Sequence, residues 1–246
     1  MNKRVLSLTL LLVCFSLVMQ AEGRIVEPFN FGWVFKKAPA GKELAVNAPK
    51  WESGWTEVEI PHTWNAKDMQ TQYDQFYEGP AYYKKHYFFA ELKDKRVFLR
   101  FEGVGAVAEV YVNGSLVTTH KGAYSAFSCE IGTALKPGAD NEIIVKADNA
   151  SRPDVIPINH VLFGVYGGMY RPVWLIVTEP YNICVTDCAS SGVYITQKNV
   201  SKKQADVKVK VKLDNGTLQP APLTLQNTIY DQEGKLVATQ SRSFDL

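Results

Sequence analysis

Tyr111-Val112-Asn113-Gly114-Ser115-Leu116-Val117 is the stretch whose reading decides the fold. Asn-Gly between two apolar runs supplies the two positive φ angles of a type I′ turn, so the segment is a tight β-hairpin. Working outward, Val107 to Val112, Val97 to Phe101 and Tyr82 to Phe89 precede it as short apolar or aromatic runs. Phe127 to Ile131, Glu142 to Ala147 and Val173 to Val177 follow, with Lys136-Pro137-Gly138 and Asp140-Asn141 marking a turn. Many short strands without a persistent helical period predict an all-β sandwich.

Toward the amino terminus, Val58-Glu59-Ile60-Pro61 is a brief strand stopped by proline, and Phe29 to Phe35 alternates as a first strand. Residues 1–21 read differently. A basic start, Met1-Asn2-Lys3-Arg4, leads into the apolar run Val5 to Val18, and Ala21 offers a small residue for cleavage. This is the pattern of a secretory signal peptide, too short for a comfortable membrane span, and it predicts a secreted or periplasmic protein. Val13 before Cys14 is bulkier than a lipid-attachment site tolerates, which argues against a lipoprotein anchor.

Toward the carboxyl terminus a second unit begins after Pro180. Val207, Val209, Val211 and Leu213 alternate with three lysines, predicting a strand with one buried and one solvated face. Leu223 to Tyr230 and Leu236-Val237-Ala238 are further strands. An immunoglobulin-like sandwich takes about 100 residues. The organisation expected is a signal peptide over 1–21, a β-sandwich over 22–180 and an incomplete second sandwich over 181–246.

Hydrophobic residues at 46% and charged residues at 21% describe a globular protein with a real core. Cleavage after Ala21 removes Lys3 and Arg4, leaving the mature chain near neutral. No basic stripe remains for nucleic acid or an anionic membrane, and no other stretch is apolar enough to span a bilayer. Cys129, Cys184 and Cys188 read as small buried residues; bridging the last two needs an intervening turn. Metal ligation is not expected, because no His or Cys pair has zinc-site spacing. Phe101-Glu102-Gly103-Val104-Gly105 lacks the third glycine and helix of a phosphate loop, so no cofactor is expected. No nucleophile elbow or zincin motif occurs, and Asp68, Asp74 and Glu78 read as solvated or turn residues rather than a glycosidic dyad. No catalytic residue is assigned.

Pro157-Ile158-Asn159-His160-Val161-Leu162-Phe163-Gly164-Val165-Tyr166-Gly167-Gly168-Met169-Tyr170-Arg171-Pro172 cannot be regular structure, and it runs straight into the strand Val173 to Val177. A polar, glycine-rich loop is thereby held against a rigid sheet, where binding groups tend to sit; a simple tight connection is the alternative. The 12% aromatic content suits strands and also the platforms on which sugars stack.

Three motifs in order, His62-Thr63-Trp64-Asn65-Ala66-Lys67-Asp68, Phe101-Glu102-Gly103-Val104 with Val110-Tyr111-Val112-Asn113-Gly114, and Gly167-Gly168-Met169-Tyr170-Arg171-Pro172-Val173, resemble the amino-terminal part of glycoside hydrolase family two. The resemblance runs from about Phe29 to the end and is closest to secreted β-galactosidase-like members. It implies a jelly-roll sugar-binding domain, then an immunoglobulin-like sandwich, with the two catalytic glutamates on a (β/α)₈ barrel that residues 1–246 do not contain. Carried over by position, Asn65 and Asp68 fall in one sugar-contacting loop and Asn159 and His160 in another, with a β-galactoside-like sugar as partner. Amides and carboxylates suit hydroxyls because each presents a fixed, planar hydrogen-bonding pattern; Asn65 as a turn cap and Asp68 as a solvated residue is the competing reading. Gly167, Gly168 and Arg171 are read as structural, the arginine fork tying the loop to a neighbouring strand. Val161 and Leu162 stand where many members carry an aspartate, which leaves the sugar open. The chain is expected to be the sugar-binding region of an exo-glycosidase of β-galactosidase or β-glucuronidase type, inactive alone. A stand-alone carbohydrate-binding or adhesion module is the alternative, and the oligomeric state is left open.

Overall fold

β-branched and aromatic residues at alternate positions give each strand one face that must find a second layer. The computed structural model describes residues 23–39, 43, 53–68, 76–90, 93–156, 164–217 and 219–246. Among them are sixteen strands: β1 (Ile25–Pro28), β2 (Trp33–Lys37), β3 (Thr56–Val58), β4 (Pro80–Phe89), β5 (Arg96–Phe101), β6 (Val107–Val112), β7 (Ser115–Lys121), β8 (Phe127–Glu130), β9 (Ala139–Asp148), β10 (Val173–Thr178), β11 (Tyr181–Ile183), β12 (Val193–Lys198), β13 (Asp206–Val211), β14 (Leu213–Asn215), β15 (Pro222–Tyr230) and β16 (Leu236–Asp245). The expected all-β architecture, with a β-sandwich leading, is the one the chain adopts.

The first ten strands make two antiparallel sheets, ordered β3-β2-β4-β9-β6-β7 and β1-β10-β5-β8. Their facing side chains form one core. Trp33, Ala81, Tyr83, Val110, Val112, Ile143 and Val145 come from the larger sheet, and Leu99, Phe101, Phe127, Val173 and Leu175 from the smaller. Each large side chain removed from water here contributes roughly 1.5–3 kcal/mol. The hairpin expected at Asn113-Gly114 is present. Val112 pairs with Ser115, and the two turn residues take φ of 50° and 81°.

Lys85 projects on the same face of β4 as Ala81 and Tyr83 and is 8% exposed. Its Nζ donates to the Phe31 carbonyl at 2.6 Å and lies 3.7 Å from the Phe29 ring centroid, with Tyr87 and Trp33 farther out. Burial depresses its pKa to about 8, because a charged amine loses hydration that one carbonyl and aromatic faces only partly replace.

Three sequence expectations need correction. β13 has no buried face: Val207 is 43% exposed and none of its residues is buried. Phe29 to Phe35 is not one strand: β1 ends at Pro28 and β2 starts at Trp33. Between them Gly32 takes φ +72° and Asn30 Oδ1 accepts the Val173 N–H at 2.8 Å, so the chain turns inside what reads as an alternation. Cys129 and Cys184 are buried, burial pushing the Cys129 thiol up to about 12, but Cys188 is exposed in a turn with φ 50°. All three are free thiols.

Beyond Pro180, β11 pairs with β14, β12 with β13 and β15 with β16, as three separate two-stranded ladders. Val185 joins Phe98 and Ile176 of the sandwich in a small buried cluster, and Arg96 holds Glu130 at 2.7 Å while its other nitrogen lies 3.7 Å from Asp214.

Candidate functional site

Strand registers bring several chain ends together. Pro80 at the start of β4 and Val107 at the start of β6 both pair with Asp148 at the end of β9, and Phe101 at the end of β5 pairs with Val173 at the start of β10. The loops leaving these ends meet at one end of the sandwich, and the glycines decide how closely. Gly168, at φ +117°, exchanges hydrogen bonds with Gly105 (3.0 and 3.4 Å), and a Cβ on it would sit 2.5 Å from the His62 carbonyl and the Tyr83 hydroxyl. A Cβ on Gly167 would lie inside the Trp64 ring. These glycines are needed so that backbone can touch ring and backbone, a contact no other residue permits.

Asn65 lies under this loop, fully buried. Its Oδ1 accepts the Gly167 N–H at 2.8 Å and the Asn149 amide at 3.2 Å. Its Nδ2 donates to Asp68 Oδ2 at 2.6 Å and to the Tyr77 carbonyl at 2.9 Å. Two donors and two acceptor sites are thereby all engaged within the protein. The residue expected to contact sugar is thus fully buried, with its amide engaged by protein groups on both sides.

Asp68 is different. The Asp68 N–H bonds to the Asn65 carbonyl at 3.2 Å, closing the turn. Its Oδ2 accepts from Asn65 Nδ2 and from the Tyr77 N–H at 3.0 Å, while the residue remains half-exposed. A carboxylate fixed from behind by two donors keeps lone pairs for hydroxyl groups arriving from solvent. At the same loop end, His62 Nδ1 pairs with the Tyr83 hydroxyl at 2.8 Å; burial, with Lys37 nearby, holds the imidazole below its usual pKa. Tyr166, 45% exposed, sets its ring edge-to-face on Phe76.

Arg171 is exposed; its stem lies against Gly103, two residues beyond β5, and its guanidinium sits 5.8 Å from the Tyr170 ring centroid. Asn159 and His160 lie outside the described residues. Asn149, Tyr77 and the His62–Tyr83 pair were not singled out from sequence. No periodic or spacing signal marks a buried amide, and only the proximity of strand ends reveals it. Among the described residues, no group of three or more His, Cys, Asp or Glu side chains could hold a metal ion, and no helix is long and apolar enough to cross a membrane.

Residues 30–180 match the family described as glycosyl hydrolases family 2, sugar binding domain. A β-glucuronidase of Bacteroides fragilis is 38% identical over 194 residues, covering 77% of this chain and 27% of the relative. A β-galactosidase of Thermoanaerobacter pseudethanolicus is 34% identical over 164 residues, covering 65% and 22%. Among solved structures, a candidate β-galactosidase from Bacteroides fragilis superposes with TM-score 0.86 at 69% identity, covering 91% of this chain and 33% of that one. A Bacteroides uniformis β-glucuronidase superposes with TM-score 0.82 at 31% identity, covering 91% and 26%. The chain thus spans about a quarter of the length of the curated relatives it matches.

Proposed function

The chain belongs to glycosyl hydrolase family 2, and from that premise we propose that the loop end of its sandwich holds the terminal sugar of a β-galactoside or β-glucuronide within an exported exo-glycosidase. The observation that carries this reading is the Asp68 carboxylate, braced from behind by Asn65 Nδ2 and the Tyr77 N–H while its residue stays half-exposed. A braced carboxylate accepts sugar hydroxyls at little further entropic cost, because its own ordering is already done. In this reading Asn65 shapes the loop and Asp68 touches the sugar. Asn159 and His160 supply the second set of contacts, by resemblance alone. The apolar leader over residues 1–21 directs export.

Bond cleavage is assigned elsewhere in such proteins. Retaining hydrolysis needs an acid and a nucleophile about 5 Å apart on opposite sides of the scissile bond. Asp68 is committed to a turn and has no such partner described beside it, so residues 1–246 alone should bind a sugar without cutting it. One wall of a pocket encloses little of a sugar, so affinity should be on the order of millimolar.

The test is a titration of the ¹⁵N-labelled chain with methyl β-galactopyranoside and, separately, methyl β-glucuronide. Amides of residues 65–68 and 77 should shift, and Asp68→Ala should weaken the response. Absence of shifts with both sugars at about 100 mM would defeat the binding claim. Turnover of nitrophenyl β-galactoside that co-purifies with the chain and vanishes in Asp68→Asn would defeat the claim of inactivity.

A further inference from the structure

Asn149 follows the last residue of β9 and is fully buried. Its Oδ1 accepts the Gly79 N–H at 2.9 Å, at the entry to β4. Its Nδ2 points at three acceptors: the Val165 carbonyl at 2.8 Å, the Tyr77 carbonyl at 3.1 Å and Asn65 Oδ1 at 3.2 Å. The Tyr77 carbonyl also receives Asn65 Nδ2, so the two amides and that one carbonyl close a ring. Three chain segments of the candidate site meet here. Asn65 and Asp68 lie on the turn, Tyr77 and Gly79 precede β4, and Val165 and Gly167 belong to the glycine-rich loop. Asn149 itself follows directly on β9, the internal strand of the larger sheet.

Sheet residues are the rigid part of such an end, and loops take their spacing from what ties them to it. Asn65 does not sit on a regular strand; Asn149 is the residue through which the turn and the glycine-rich loop share one attachment to β9. We propose that Asn149 is a positioning residue for sugar binding. It acts through Asn65 to set where the Asp68 carboxylate stands relative to the 164–168 loop, without touching the ligand. This inference rests on the sugar-binding reading given above.

Chemistry makes the role testable. Asn149→Asp keeps the shape but puts acceptor oxygens opposite three oxygens, the Val165 and Tyr77 carbonyls and Asn65 Oδ1. The turn and the loop should separate. Asn149→Ser keeps one donor on a shorter arm and serves if the aspartate variant does not fold. Each variant, Asp68→Ala and the double variant Asn149→Ser/Asp68→Ala are titrated with methyl β-galactopyranoside and methyl β-glucuronide, alongside thermal melts and the exchange rate of the Gly167 amide.

Asn149→Asp should bind about tenfold more weakly and recover part of that loss as falling pH protonates the new carboxyl and restores one donor. The Gly167 amide should exchange faster, as Asn65 loses its brace. The double variant should bind no worse than Asp68→Ala, because Asn149 acts through that carboxylate. Affinity equal to the parent's in both single variants overturns the proposal. So does an additive double variant, which would make Asn149 a stabiliser of the fold alone. A parent chain that binds neither sugar overturns the sugar-binding reading and this inference with it, whereas a parent that binds beside unaffected variants overturns only the inference.

Discussion

β9 and β16 are each ten residues long, and each has a ladder along its length, broken in β16 only by a bulge at Val237, yet seven residues of β9 are buried and none of β16 is. β9 lies between β4 and β6 with a second sheet across from it, whereas β16 has β15 on one side and, among the described residues, no further strand on the other. β9 is thus paired and covered, whereas β16 pairs along one edge only and is not covered. Tyr194, Ile195, Val200, Val207, Ile229, Tyr230, Leu236 and Val237 all stay exposed beyond Pro180. A ladder satisfies the backbone, while stability comes from the layer that covers one of its faces.

Proteolysis should make the contrast largest. Opening a two-stranded ladder exposes little that was covered, so its local free energy should be well below that of the sandwich. Trypsin should cut at Lys208, Lys210 and Lys235 at least about a hundredfold faster than at Lys85, Arg100 or Lys146. Similar rates in both sets, followed by mass spectrometry, would break the comparison.

Paired substitutions should come next. Phe101 is fully buried and stacked on Phe127 at 4.8 Å, so Phe101→Ala should cost about 3–5 kcal/mol in urea denaturation. Val237 is 63% exposed, and Val237→Ala should change stability by no more than about 0.5 kcal/mol. A cost for Val237→Ala near that of Phe101→Ala would mean that the ladder's face is covered in solution.

The smallest expected effect separates residues inside the sandwich. Lys85 has a folded pKa of about 8 against an ordinary 10.5, the result of burial. Below pH 8 both states carry the proton and the cost of burying the charge is fully present. Between pH 8 and 10.5 the unfolded chain binds more protons, so stability contributed at this site rises with pH. Lys85→Met should therefore be more stable than the parent at pH 7, by on the order of 2 kcal/mol, and the gap should close by pH 10. A gap that is constant with pH would show that the amine is not desolvated.

Local chemistry made much of the fold legible. Asn113-Gly114 announces its turn because only certain residues accept two positive φ angles, and both angles are observed. Val207, Val209 and Val211 correctly mark a strand, yet period two reports which side chains share a face and says nothing about whether a second layer exists. The site was legible where geometry demands a residue type: Gly167 and Gly168 stand where ring and carbonyl leave no room for a Cβ. It was not legible at Asn65, because an amide suits a sugar hydroxyl and a buried carbonyl equally well, and direction alone separates them. Nothing in the sequence marks Asn149 for its place in the site, its partners lying 16 to 84 residues away.

The buried Asn149 amide also bears on where this protein can be made. Asn149-Ala150-Ser151 is an acceptor sequence for N-linked glycan transfer, as is Asn199-Val200-Ser201. A eukaryotic secretory pathway attaches the glycan to the extended nascent chain, before burial has occurred. On Asn199, exposed at the end of β12, an oligosaccharide has open solvent around it. On Asn149 it would occupy the nitrogen that reaches Val165, Tyr77 and Asn65, at a fully buried position. A molecule glycosylated there cannot close the loop end of its sandwich, so bacterial expression, or removal of that acceptor through Ser151→Ala, preserves the native amide.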